Sequence, residues 1–224
     1  MPEAAAVPVA LMLFGAPGSG KGTAGKIVAE QLGLPHISTG DLLRAHVVAD
    51  DETGKLVKNL MGAGRFVPDD LVNQMVFGRT SAADCKSGFI LDGYPRTIAQ
   101  AKVLVDELAV RGVTPVVIHL IVDYNKITAR MAGRRTCPSC GAVYNIASRP
   151  PKVEGKCNLD GSELVLREDD REDVVSARLE SYDRVTKPLE EFFKTAVSRL
   201  YSVDGNNLAP LAIAEQIREL VGNG

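Results

Sequence analysis

Long apolar runs are missing from this chain of 224 residues, and none approaches the length of a helical membrane span. Excess charge of one sign is missing as well. Lys plus Arg number 26 against 28 Asp plus Glu, a formal net charge of −2, so the global basic field of a dedicated nucleic-acid binder is absent. No membrane and no nucleic-acid partner is therefore expected, and any anion site has to be local. Cysteine is scarce. Four in a chain this long cannot build a disulfide scaffold, which points to a reducing compartment, the cytoplasm. The segment Met1 to Ala10 has no basic residue ahead of its small apolar residues and does not read as a secretion signal. His36, His46 and His119 have no spacing that makes a site, and Cys85 stands without a histidine motif, so all four read as structural. Internal repeats and low-complexity tracts are lacking too.

What is present is an ordinary globular composition, 45% hydrophobic and 24% charged, too apolar for a disordered chain. Short apolar runs alternate with helical patterns, as parallel strands joined by crossover helices require. Strands are expected at Val9 to Phe14, near His36 and Ile37, at Gly88 to Asp92, at Val116 to Val122 and at Leu200 to Val203. The fold class is α/β, a doubly wound five-stranded parallel core. Pro68 with Asp69 and Asp70 marks a helix start, because proline needs no amide donor there and carboxylates suit the helix dipole. Asp41 is expected to cap the helix that follows it. A helical pattern over Arg171 to Leu200 is interrupted at Pro188, and Pro210 to Val221 reads as a terminal helix. Between Thr136 and Asp170 cysteines, prolines and glycines replace helical periodicity, which marks an inserted module.

The sharpest motif is Gly15-Ala-Pro-Gly-Ser-Gly-Lys-Gly-Thr23, set between an expected strand and an expected helix as a P-loop demands. Its glycines let backbone N–H groups turn inward around phosphate oxygens, and Lys21 reaches the outer phosphates of a nucleoside triphosphate. The general pattern has Ser or Thr directly after the lysine; here Gly22 intervenes before Thr23. Asp92 closes an apolar strand, where a carboxylate can bind water on magnesium. Arg130 and Arg134 are four apart on a helical pattern, so both guanidinium groups are expected on one face. Cys137-Pro-Ser-Cys140 and, sixteen residues on, Cys157-Asn-Leu-Asp160 form two knuckles with the spacing of a zinc ribbon in which carboxylate replaces one thiolate. Four protein ligands leave no open position, so the zinc is expected to be structural.

Gly20-Lys21-Gly22-Thr23, read with Ser38-Thr39-Gly40-Asp41-Leu42-Leu43-Arg44 and Leu91-Asp92-Gly93-Tyr94-Pro95-Arg96, resembles the adenylate kinase family. Asn145 to Lys156 and Arg167-Glu168-Asp169-Asp170 resemble the lid of its long form. Departures are Tyr94, where the family often has Phe, and Ala99, where a proline commonly precedes Gln100. The resemblance implies ATP + AMP ⇌ 2 ADP with magnesium, hence ATP, AMP and ADP as ligands, in a monomer serving adenine nucleotide homeostasis. It implies a core over 7–135 and 171–224, an inserted monophosphate-binding segment over 39–67 and a zinc-binding lid over 136–170. By the same resemblance Gly18, Ser19, Gly20, Lys21, Gly22, Thr23, Arg130, Val143 and Tyr144 would bind ATP. Thr39, Arg44, Arg65, Phe66, Val67, Gly93, Arg96, Gln100, Arg167 and Arg178 would bind AMP. Lys21, Arg96, Arg130, Arg134, Arg167 and Arg178 would act on the transferring phosphoryl group. Arg135 and Arg149 have no such match and read as solvated charges.

Two other readings stay open on sequence alone. One is a kinase of another pairing, GTP with AMP or ATP with UMP, because a P-loop reads phosphate rather than base. The other is a nucleotide-switched binding protein whose zinc ribbon grips nucleic acid, against which stand the net charge and the lack of aromatics in Pro150 to Gly155.

Overall fold

Val9–Phe14 and Thr114–Ile121 are apolar on both alternating faces, so neither can lie on a half-solvated sheet. They pair in parallel as β1 and β4 at the centre of the main sheet. The computed structural model describes residues 7–222; Met1–Ala6, most of the stretch read above for a signal, and Asn223–Gly224 lie outside the described residues. Around the two central strands run β2 (His36–Ser38), β3 (Gly88–Asp92) and β7 (Leu200–Asp204), in the spatial order β2-β3-β1-β4-β7 with every pairing parallel. All five strands expected from the sequence are present.

Helices α1 (Lys21–Leu32), α2 (Thr39–Ala49), α3 (Glu52–Gly62), α4 (Asp69–Thr80) and α5 (Ile98–Val110) make the connections up to β4. Because the second strand lies to one side of β1 and the fourth to the other, the strand order reverses at β1. Open α/β sheets bind ligands in the crevice that this reversal leaves beyond the carboxyl ends of the strands. After β4 come α6 (Tyr124–Ala132), an antiparallel pair β5 (Arg134–Thr136) and β6 (Val143–Asn145), then α7 (Glu172–Ser181), α8 (Leu189–Ala196) and, after β7, α9 (Pro210–Gly222). The β5–β6 pair belongs to a separate sheet with its own cluster of Cys137, Tyr144 and Cys157 backed by Ala142 and Leu164. Among the described residues no helix is long and apolar enough to cross a membrane.

Three local expectations are corrected. The cap of α2 is Ser38, whose hydroxyl accepts from the Asp41 amide at 3.2 Å; Asp41 sits inside the first turn and pairs with Arg44 at 2.6 Å. Arg134 is not on a helix with Arg130, since α6 ends at Ala132 and Arg134 opens β5. The break in the 171–200 pattern begins ahead of Pro188, as a π turn at Tyr182–Thr186 closed by Lys187 N–H to Tyr182 O at 2.8 Å. Proline has no N–H and its ring crowds the carbonyl four residues back, here Arg184, so the preceding turn widens.

The core is carried by the two central strands and β3: Leu11, Met12, Phe89, Ile90, Leu91 and Ile118 are all essentially inaccessible. His119 packs against Phe14 at 4.5 Å between ring centroids, and Cys85 is buried, so both serve packing as expected. Ile118→Ala should therefore cost about 2–5 kcal/mol in chemical denaturation. Val110→Ala, at a site 85% exposed, should change stability by less than about 0.5 kcal/mol.

Candidate active site and metal centre

β1 delivers the chain into a loop that only glycine can follow. Gly15, Gly18 and Gly20 have φ of 143°, 79° and 105°, and a Cβ on Gly15 would lie 2.4 Å from the Leu120 carbonyl oxygen. The loop ends on α1, whose first residue is Lys21. Its ammonium folds back to donate to Gly15 O at 2.7 Å, Ala16 O at 2.8 Å and Ser19 Oγ at 3.3 Å. Burial pushes the Lys21 pKa down to about 8, Asp92 opposes that, and Arg96, Arg178 and Arg134 add to it. Gly22 is explained by space. A Cβ there would stand 2.8 Å from Asp92 Oδ2, so the Ser or Thr of the general pattern would require the Asp92 carboxylate to move away from the start of α1.

Arg130 donates to Ser19 O at 3.1 Å in the phosphate loop and to Gly205 O at 2.8 Å in the turn after β7. It stitches two loops across the crevice. Arg134 makes a bidentate pair with Asp170, whose side chain is wholly buried, with Nε to Oδ2 at 2.6 Å. Burial pulls the Arg134 pKa down, but the bond to Asp170 prevails and raises it. Arg178 donates to Asp169 O at 2.8 Å and Oδ2 at 3.1 Å, and Arg44 comes within 3.9 Å of the same carboxylate. Arg167 Nε donates to Thr136 Oγ1 at 2.8 Å. Burial first, and neighbouring arginines second, push Arg96 and Arg167 down to about 10. Lys21, Arg44, Arg96, Arg134, Arg167 and Arg178 thus crowd one space, with Asp92, Asp169 and Asp170 interspersed.

On the β2 and β3 side, Thr39 Oγ1 donates to Gly93 O at 2.9 Å, and Arg96 Nε donates to the same carbonyl at 2.8 Å. Gly93 has φ of 76°, and the Tyr94–Pro95 peptide is cis. Gln100 Oε1 accepts from Arg96 N at 2.7 Å. Thr39, Leu42, Leu43, Val72, Met75 and Val76 form a closed apolar cleft beside them, without room for a water molecule. Arg65, Phe66 and Val67 follow α3, with Val67 buried and Arg65 exposed.

In the smaller sheet, the donor atoms of Cys137, Cys140, Cys157 and Asp160 all lie within 4.8 Å of one another. Cys140 Sγ and Cys157 Sγ are 3.5 Å apart, far beyond a disulfide and close to the roughly 3.8 Å edge of a tetrahedron with zinc–sulfur bonds of about 2.3 Å. Backbone amides of Cys140 and Leu159 approach Cys137 Sγ and Cys157 Sγ at 3.4 Å each, stabilising thiolate charge. The Ser162 amide, at 3.0 Å, holds the Asp160 carboxyl well below the usual range. The donor set fits a closed zinc site. Tyr144 turns its ring into this cluster, with its hydroxyl 3.4 Å from Cys157 Sγ, and its main chain pairs with Arg135 in the β5–β6 ladder.

Sequence reasoning named the arginines but missed what holds them. Asp170, the Gly205 carbonyl and Asp69 are remote in sequence from their partners, and Asp169 lies nine residues before Arg178. The Asp-Asp pair between Arg167 and Arg171 was the available signal. Among the described residues Arg135 bonds the Ala132 and Arg134 carbonyls and Arg149 the Val143 carbonyl.

A family model described as adenylate kinase matches residues 13–198. The adenylate kinase of Thermosipho melanesiensis is 45% identical over 197 residues, covering 88% of this chain and 92% of that protein. That of Clostridium acetobutylicum is 44% identical over 214 residues, 95% of this chain and 98% of its own, and that of Caldicellulosiruptor saccharolyticus is 48% identical over 185 residues, 82% and 86%. With a phosphate loop, converging arginines and relatives of this identity along most of its length, the chain belongs to the adenylate kinase family, the enzymes that convert ATP and AMP into two ADP.

Proposed function

We propose that the reaction is divided among the residues of this crevice as follows. The observation that carries the reading is the gathering of buried cations in one crevice: burial first, and neighbouring arginines second, lower the pKa of Arg96 and Arg167 to about 10, and a polyanionic ligand relieves that repulsion. Outer phosphates of ATP replace the Gly15 and Ala16 carbonyls on Lys21, with the backbone of Gly18, Ser19, Gly20, Gly22 and Thr23 around them. Val143 and Tyr144 flank the same nucleotide. Arg44 and Arg96 hold the AMP phosphate, while Thr39, Gly93, Gln100 and the 65–67 main chain surround its base over the apolar cleft. Arg167 and Arg178 reach that phosphate too, and with Arg130 and Arg134 they surround the transferring group. An AMP phosphate oxygen attacks the γ-phosphorus in line as the bond to the leaving ADP oxygen breaks. The transition state is loose, so fixed guanidinium groups rather than a nucleophile supply the stabilisation.

Magnesium bound with ATP would neutralise phosphate charge, and Asp92, facing the start of α1, is placed to bind its water. Segments 39–67 and 136–170 act as closures over the core of 7–135 and 171–224, excluding water from the transfer. Zinc on Cys137, Cys140, Cys157 and Asp160 holds the second closure together and takes no part in chemistry. The protein acts as a monomer in this reading. Free thiols in such a cluster suit a reducing compartment, the cytoplasm.

Steady-state kinetics test the division of labour. Arg130→Ala should lower kcat by roughly 10²–10³ with little change in KM, and Arg96→Ala should chiefly raise KM for AMP. Near-normal kinetics in both would refute the assignment.

A pH dependence follows from Lys21. Above about pH 8 the empty loop releases its proton, whereas bound phosphates demand the ammonium, so binding takes the proton back up. ATP affinity should then fall toward tenfold per pH unit, with close to one proton absorbed per ATP by calorimetry in buffers of different ionisation enthalpy. Lys21→Met should abolish the uptake.

Metal analysis should find one zinc per chain. Cys137→Ser should lower the thermal midpoint by at least about 5 °C yet leave transfer intact at low temperature. Loss of activity without loss of stability would make the metal catalytic.

A further inference from the structure

The Gln100 side chain is 3% exposed and is held at both ends. Its Oε1 accepts from the Arg96 amide at 2.7 Å, and its Nε2 donates to Asp69 Oδ1 at 2.8 Å. A backbone N–H can only donate and an ionised carboxylate can only accept, so both neighbours impose one orientation of the amide. The other oxygen of Asp69 accepts from Thr97 Oγ1 at 2.7 Å, and Thr97 in turn caps α5 by accepting from Gln100 N at 3.1 Å. Asp69, the first residue of α4, is thereby fixed to the start of α5 and cannot turn away from Gln100.

An amide so fixed has one lone pair on Oε1 and one N–H on Nε2 left to offer, each on a known side. Adenine presents an amino donor at N6 beside a ring-nitrogen acceptor; guanine presents the carbonyl acceptor O6 where adenine has N6. A freely turning glutamine serves either base by exchanging its oxygen and nitrogen. A fixed one satisfies adenine and sets its oxygen against O6 of guanine, in a place too enclosed for water to repair the mismatch. Resting on the reading of Gln100 as a contact to the monophosphate base, we infer that Asp69 is a positioning residue that selects adenine over guanine by locking the Gln100 amide.

The experiment compares kcat/KM for AMP and GMP, with ATP as donor, in the wild type and five variants. Asp69→Ala should reduce the AMP preference at least tenfold, raising KM for AMP while kcat at saturating AMP and KM for ATP stay within about threefold. Asp69→Leu, which fills the space without an acceptor, should do the same and replaces the alanine variant if that one does not fold. Asp69→Asn keeps one acceptor for Gln100 and should retain most of the preference. Thr97→Val removes the α5 cap and the bond that keeps Asp69 turned toward Gln100; it should lower the melting temperature and weaken the base preference by less than Asp69→Ala does. Gln100→Ala separates the two claims. If it keeps full discrimination, Gln100 is not the base contact and the underlying reading fails. If it loses discrimination while Asp69→Ala and Asp69→Leu keep theirs, the lock is refuted.

Discussion

Positive charges that must lie together before any anion arrives set the terms for this structure. Lys21, Arg44, Arg96, Arg134, Arg167 and Arg178 repel one another in a space where burial weakens screening, and the whole chain is slightly acidic. The fold answers with temporary partners. Lys21 is held by carbonyls of its own loop, Arg134 by the buried Asp170, Arg178 by Asp169, Arg96 by Gly93 O. Each partner occupies a guanidinium or ammonium group without cancelling the total, so the arginines stay ordered and the crevice stays anion-seeking. Strong pairing would have produced a stable, unreactive salt lattice.

The sheet explains how so many side chains reach one place. Parallel strands end at a common edge, and the order reversal at β1 leaves a gap there. Lys21 leaves from the turn after β1, Asp92 and Arg96 from the end of β3, Thr39 from the end of β2 and the Gly205 carbonyl from the end of β7. Close approach is what makes some of these positions intolerant. Gly15 lies against the Leu120 carbonyl, and a methyl group at Gly22 would displace the Asp92 carboxylate.

Most of this architecture is legible in the sequence because its signals are local. Val9–Phe14 must be a buried strand, Gly15 to Thr23 must be a loop onto a helix, and two Cys-x-x-Cys or Cys-x-x-Asp knuckles must be near one another to share a metal. Illegible features depend on pairs formed across the fold. Asp170 reaches Arg134 from 36 residues away and Asp69 reaches Gln100 from 31, and no periodicity marks either. Arg130 and Arg134 have helical spacing, but Gly133 lies between them and the chain turns into β5. Asp41 and Ser38 are both good caps, and only the geometry at the end of β2 decides for Ser38.

Thr136 deserves a last consideration, since it stands next to Cys137 and accepts from Arg167. One peptide unit therefore separates the thiol cluster from the hydroxyl that anchors Arg167. Arg134 lies on the same short strand and Val165, two residues before Arg167, bridges Thr136, so a shift of the Cys137 knuckle would be passed along β5 to both guanidinium groups as a change of direction rather than of charge.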